Sequence, residues 1–142
     1  MNKKLISMET FVGAGGSYLG LKKAGFKTVY TNEIDENFTK TLIHNNKKDL
    51  EDCLIDIKPI EKVNFKSVRN KLNLKKKRVD LIFGGPVCKG YSLAGVRDPS
   101  DTRNTLYRHQ IRMISEFLPK ISIIENVPAM RISLILKSGI EK

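Results

Sequence analysis

The amino-acid sequence predicts an α/β fold carried by a mostly parallel sheet of five strands, and two observations lead there. Strand-length apolar runs recur at Leu5-Ile6, Thr28-Val29-Tyr30, Cys53-Leu54-Ile55, Val79-Asp80-Leu81-Ile82-Phe83 and Ile121-Ser122-Ile123-Ile124. The intervals between them carry apolar residues at helical spacing. Strand alternating with helix puts helices on both faces of a parallel sheet and leaves ligands beyond the carboxyl ends of the strands.

The elements follow in order. The first strand runs through Phe11-Val12-Gly13-Ala14-Gly15-Gly16 into a helix carrying Tyr18, Leu19 and Leu21 and ended by Gly25. After the second strand, Asp35 opens a helix whose apolar positions are Phe38, Leu42 and Ile43. A third helix is expected over Ile60 to Leu74. A fourth is expected from about Arg103 to Leu118, on Leu106, Ile111, Met113, Ile114 and Phe117, with Pro119 ending it. The basic run Lys75-Lys76-Lys77-Arg78 reads as a solvated loop before the fourth strand.

With 142 residues, 40% hydrophobic and 29% charged, the chain suits one globular domain over residues 1–142, without linker, repeat or low-complexity tract. No apolar stretch reaches the ~18 residues of a membrane helix. The basic start Met1-Asn2-Lys3-Lys4 meets Glu9 before a signal-type apolar core develops, so a cytoplasmic protein is expected. Cys53 and Cys88 are the only cysteines, beside two histidines; this is neither a disulfide framework nor a metal-ligand pattern. The net charge of +11 suits a polyanionic partner and suits equally a basic protein that has none.

The glycine turn after the first strand brings bare backbone close to a ligand. It is not the GxGxxG of a dinucleotide site, because Tyr18 holds the third glycine position; this disfavours a pyrophosphate ligand and a nicotinamide-dependent dehydrogenase. Twenty residues after Gly13, Glu33 follows the second strand, where a carboxylate can accept both hydroxyls of a ribose, and Asp56 closes the third strand in the same way. The fourth strand delivers Gly84-Gly85-Pro86-Val87-Cys88-Lys89-Gly90. Cys53 is expected to be an inert small hydrophobe. Cys88, among glycines past a strand end and beside Lys89, is the candidate nucleophile. Glu125 ends the fifth apolar run on the same rim; burial against Ile123, Ile124 and Val127 would raise its pKa and fit it to donate a proton to a ring nitrogen.

In this order the residues from Leu5 to Pro128 resemble the DNA cytosine-5 methyltransferase family. The segment from Phe11 to Gly16, followed by Leu19-Gly20-Leu21 and Ala24-Gly25-Phe26, is similar to the family's S-adenosylmethionine-binding motif. The segment Asp80 to Gly95 is similar to its nucleophile motif. Asp101, Arg103-Asn104, Leu106 and Arg112 resemble the next motif, and Pro119-Lys120 with Glu125-Asn126-Val127 resembles that of the catalytic glutamate. The chain departs from the family at Val87 and Lys89, which stand where the family has Pro before the cysteine and usually Gln after it.

The resemblance implies a Rossmann-like S-adenosylmethionine-dependent methyltransferase fold cut to its first five strands. It implies catalytic Cys88 and Glu125, and a cofactor site of Phe11, Gly13, Gly15, Gly16, Glu33, Ile34, Asp56, Ile57, Gly85 and Leu106. It also implies DNA as partner and methyl transfer to carbon 5 of cytosine through a covalent adduct of Cys88 at carbon 6, in a restriction-modification setting. The family's later arginine motif, target-recognition region and closing asparagine motif are not in this sequence. A complementary C-terminal methyltransferase fragment or subunit is therefore expected as a partner. A truncated inactive product, a non-catalytic cofactor or DNA-binding protein, and an RNA cytosine methyltransferase remain as alternatives.

Overall fold

The computed structural model describes residues 4–87 and 102–127. The elements are β1 (Leu5–Thr10), α1 (Gly16–Lys23), β2 (Phe26–Glu33), α2 (Glu36–Asn46), β3 (Leu54–Ile57), α3 (Phe65–Lys71), β4 (Leu81–Gly84), α4 (Tyr107–Phe117) and β5 (Ile121–Ile124). The strands form one sheet in the order β3-β2-β1-β4-β5, and every neighbouring pair is parallel. From β1 the chain winds outward through β2 to β3, then returns to the other side of β1 for β4 and β5. The gap between β1 and β4 is thus the point at which strand order reverses, where open α/β sheets bind ligands.

Alternate residues of the strands face opposite cores. Met8, Tyr30 and Ile82 join Val63, Phe65, Val68, Val79, Met113 and Phe117 in the larger core, which α3 and α4 cover. A smaller core on the side of α1 and α2 gathers Val12, Tyr18, Leu42 and Leu50. Arg112 fastens α4 to the start of α3: its Nη2 donates to the Val63 carbonyl at 3.0 Å and its guanidinium lies over the Phe65 ring.

The helix signals act locally as expected at the end of the first helix and the start of the second. Gly25 takes φ 88° just past α1 and donates to the Lys22 carbonyl. The Asp35 side chain accepts the amide protons of Asn37 at 2.7 Å and Phe38 at 3.1 Å, satisfying two donors at the start of α2.

The expected third helix is instead two pieces, a 3-10 turn at Ile60–Lys62 and then α3. Asn64 interrupts it by adopting an extended backbone so that its side chain can cap Ser67 N at 3.0 Å. Likewise the fourth starts as a 3-10 turn, Thr102–Thr105, before α4. It stops at Leu118, whose φ of 49° is left-handed; the residue before Pro119 is sterically kept from continuing a helix. Lys75, Lys76 and Lys77 are exposed in a turn, as expected.

Both β1 and β2 are longer than their apolar runs, because Glu9, Thr10, Thr31 and Asn32 are buried inside the sheet. Register then brings the carboxyl ends level: Thr10 pairs with Asn32 and with Gly84, Glu33 with Ile57, and Gly84 with Ile124. Among the described residues no helix is long and apolar enough to cross a membrane.

Candidate active site

The turn from β1 to α1 is the most constrained backbone on this rim. Phe11 and Gly13 both have φ 56°, and Gly15 has φ 101°. A left-handed Phe11 is strained in a way glycine is not. Gly15 is required twice over, since a Cβ there would also come within 2.6 Å of Leu42 Cδ1 on α2. Val12 N donates to the Asn32 carbonyl at 3.2 Å and Leu19 N to that of Gly15 at 3.0 Å, so the turn is fixed to β2 and feeds α1 directly. Gly16 starts α1 on the exposed surface with nothing near its missing side chain, which leaves its backbone open to a ligand.

Glu33 is nearly buried and already engaged. Its Oε2 accepts Gly13 N at 2.8 Å, and its Oε1 accepts Ile34 N at 2.8 Å and Asp35 N at 3.0 Å. A carboxylate offers about four lone-pair positions. Three are taken by backbone, which leaves one acceptor position open, on Oε2.

Asp56 accepts the Tyr30 hydroxyl on Oδ2 at 3.2 Å and pairs with Lys58 Nζ through Oδ1 at 3.1 Å. Burial, and then the Asp56 charge beside it, push the Tyr30 phenol far up, so it remains a donor. Asn32 joins the ends of β2 and β3, its Nδ2 donating to the carbonyls of Asp56 at 3.1 Å and Lys58 at 2.9 Å. Tyr30, Asn32 and Lys58 were missed in the sequence, where only the alternation of faces along β2 could have pointed to the first two. Ile34 and Ile57, at these adjoining strand ends, are 66% and 45% exposed, an apolar pair in water beside two acids.

Across the switch point, Glu125 N donates to the Gly84 carbonyl at 2.9 Å and Asn126 Nδ2 to that of Pro86 at 3.1 Å. A Cβ on Gly85 would lie 3.1 Å from Glu125 Oε2, so the carboxylate sits close over the bare backbone of Gly85. The Glu125 side chain is exposed and not buried against its apolar neighbours as expected. The reason is positional: β5 is the outer strand, with Ile121, Ser122, Ile123 and Ile124 all exposed.

Leu106 stands at the start of α4, partly buried against the larger core. Cys53 is packed beside the smaller core, and burial pushes its thiol up to about 12, which fits the expected inert role. Cys88, with Lys89, the rest of its motif to Gly95 and Asp101, lies outside the described residues.

A parallel five-stranded sheet of this order, with a glycine turn and acids at its switch-point rim, defines a Rossmann-like domain of methyltransferase type. The chain belongs to the C-5 cytosine-specific DNA methylase family, which it matches over residues 5–133.

Among its relatives, the Type II methyltransferase M.AgeI of Thalassovita gelatinovora is 36% identical over 121 residues, which are 85% of this chain and 27% of the relative. The Type II methyltransferase M.AquIA of Picosynechococcus sp. is 35% identical over 131 residues, 92% of this chain and 50% of the relative. A crystal structure described as a DNA modification methyltransferase encoded within an E. coli prophage superposes with a TM-score of 0.72 at 31% identity, covering 89% of this chain and 33% of the other. The chain thus spans about a quarter to a half of the length of these relatives.

Proposed function

We propose that this chain provides the S-adenosylmethionine site and the nucleophile-bearing strand end of a DNA cytosine-5 methyltransferase. The observation that carries this reading is the level rim of the sheet. The turn held by Glu33 and the Glu125–Gly84 backbone hydrogen bond lie at the carboxyl ends of neighbouring strands, on either side of the switch point. A cofactor bridging that point would have a ribose acceptor in Glu33, an acceptor for an adenine amino group in Asp56, apolar walls in Ile34 and Ile57, and the backbone of Gly13, Gly16 and Gly85 beside it, with Gly15 buried beneath the turn against Leu42. Phe11 and Leu106, both packed against the larger core, would border the cofactor from that side. S-adenosylmethionine supplies an electrophilic methyl group on a sulfonium and needs no phosphate-binding glycine pattern, in keeping with Tyr18 at the third glycine position.

In this reading the target cytosine is flipped from the duplex, at a cost of a few kcal/mol. The Cys88 thiolate forms a bond to carbon 6 while protonated Glu125 gives its proton to ring nitrogen 3. Carbon 5, now nucleophilic, takes the methyl group. A base then removes the carbon-5 proton, the bond to Cys88 breaks, and Glu125 recovers its proton.

Site-specific methylation needs more than this chain. The relatives are about two to three times as long, and among the described residues the edge strand β5 leaves Ile121 and Ile123 exposed at 60% and 44%. We infer that the remaining part of the enzyme, on the same polypeptide or a second one, covers that strand and reads the DNA sequence. The setting is a type II restriction-modification system in the cytoplasm. The test is covalent trapping: DNA containing 5-fluorocytosine, S-adenosylmethionine and the complete assembly should yield an adduct that survives denaturation and requires Cys88. No adduct under those conditions would refute the reading.

A further inference from the structure

The only fully buried carboxylate among the described residues is Glu9, in the middle of the sheet and outside both apolar cores. Its Oε2 accepts the Ser17 hydroxyl at 2.7 Å and its Oε1 that of Thr28 at 3.2 Å, and the Ser7 and Thr28 hydroxyls are 2.9 Å apart. Strand alternation directs Ser7 and Glu9 to the face opposite Met8, where α1 lies. Polar groups therefore replace apolar packing between β1, β2 and α1. Burial holds the Glu9 carboxyl above its ordinary range, and the two hydroxyl bonds draw it partly back.

Ser17 is the second residue of α1, immediately after the glycine turn. The turn is consequently tied at both ends by a carboxylate: Gly13 to Glu33 on one side, Ser17 to Glu9 on the other. Between the two ties lie Ala14, Gly15 and Gly16, whose backbone would otherwise be among the freest in the chain.

We propose that Glu9 is a positioning residue for the cofactor turn: through Ser17 it sets the first turn of α1, and with it the backbone of residues 13–16, against the sheet. Glu9 touches no ligand in this arrangement. The proposal rests on the cofactor reading above and deepens it.

The experiment follows amide hydrogen exchange in the full chain without ligand, with S-adenosylmethionine affinity measured separately by calorimetry. Ser17→Ala removes the tie while keeping the Glu9 side chain in place, and should speed exchange of the 13–19 peptide by about tenfold while α3 and α4 exchange as before. Affinity should fall by roughly three- to tenfold, the size of one ordinary hydrogen bond. Glu9→Gln keeps an acceptor oxygen of the same shape and should restore both readouts nearly to wild type, whereas Glu9→Ala should match Ser17→Ala. Unchanged exchange at the turn in Ser17→Ala and Glu9→Ala would overturn the proposal. So would faster exchange spread evenly to α4, which would mark a purely structural residue. If exchange responds locally but even the wild-type chain, in its complete assembly, binds no S-adenosylmethionine, the tie stands and the cofactor reading falls.

Discussion

Glu33, at the end of β2, accepts the amide proton of Gly13 at 2.8 Å, so the carboxylate proposed to accept a ribose hydroxyl also shapes the glycine turn. Removing it has two consequences. In Glu33→Ala the ribose bond is lost, and charge-assisted hydrogen bonds of about 1.5 to 3 kcal/mol correspond to roughly ten- to a hundredfold in affinity. The amides of Gly13, Ile34 and Asp35 also lose their acceptor, so denaturant unfolding should show a loss of stability of about 1 to 3 kcal/mol without ligand. Unchanged affinity by calorimetry would remove Glu33 from the binding site.

The two cysteines should separate cleanly. A thiol with pKa ~8.5 already has a small thiolate fraction near neutral pH, whereas an alcohol has almost none. Cys88→Ser is expected to abolish adduct formation and methyl transfer in the complete assembly. Cys53→Ser should leave both nearly intact, because burial holds that thiol up to about 12. Robust methylation by Cys88→Ser would sink the covalent route.

Gly84 has no room for a side chain. A Cβ there would collide with Thr10 Oγ1 and Gln110 Oε1, both buried, and Gln110 is held in place by its 2.9 Å bond to the Ile123 carbonyl. Gly84→Ala should destabilise the fold by about 1 to 3 kcal/mol through overpacking, read as a lower urea midpoint with the same slope. Thr10→Ser keeps the clash and should not rescue it.

Two buried acids give opposite pH dependences. Glu9 is raised above its ordinary value of 4.5 by burial, so its contribution to stability is full below that value and is lost as pH rises through the folded-state pKa. Asp80 is lowered below 3.8, chiefly by its bond to Lys120 and then by the Ile6 amide. Its contribution is present above 3.8 and is lost as pH falls through the depressed value. Urea unfolding from about pH 3 to about pH 7 should show Glu9→Gln gaining on wild type as pH rises. Asp80→Asn should instead fall behind wild type above pH 3.8. Parallel profiles for all three proteins would contradict both assignments.

By itself the chain should not methylate DNA site-specifically. Among the described residues β5 is the edge strand and carries exposed Ile121, Ile123 and Ile124, and an apolar edge of that kind invites pairing or aggregation. The +11 charge still allows salt-sensitive, sequence-blind binding through phosphates. Tritiated methyl transfer to mixed-sequence DNA at low salt, with and without the downstream part, checks this. Site-specific methylation by the isolated chain would overturn it.

Features decided within a few residues were legible in the sequence. Asp35 capping α2, Gly25 closing α1, the glycine turn and the acids at the ends of β2 and β3 depend on local backbone chemistry, which residue type and spacing record directly. Tertiary structure decided what depends on neighbours distant in the chain. Burying Glu9 and Asn32 inside strands requires partners from β2, α1 and the end of β3, so no apolar run could announce them. Asn64 breaks the third helix because its side chain satisfies an amide better than a continued helix would. Glu125 is exposed because β5 is the outermost strand, and strand order, unlike strand existence, is set by which surfaces remain to be covered once the chain has folded.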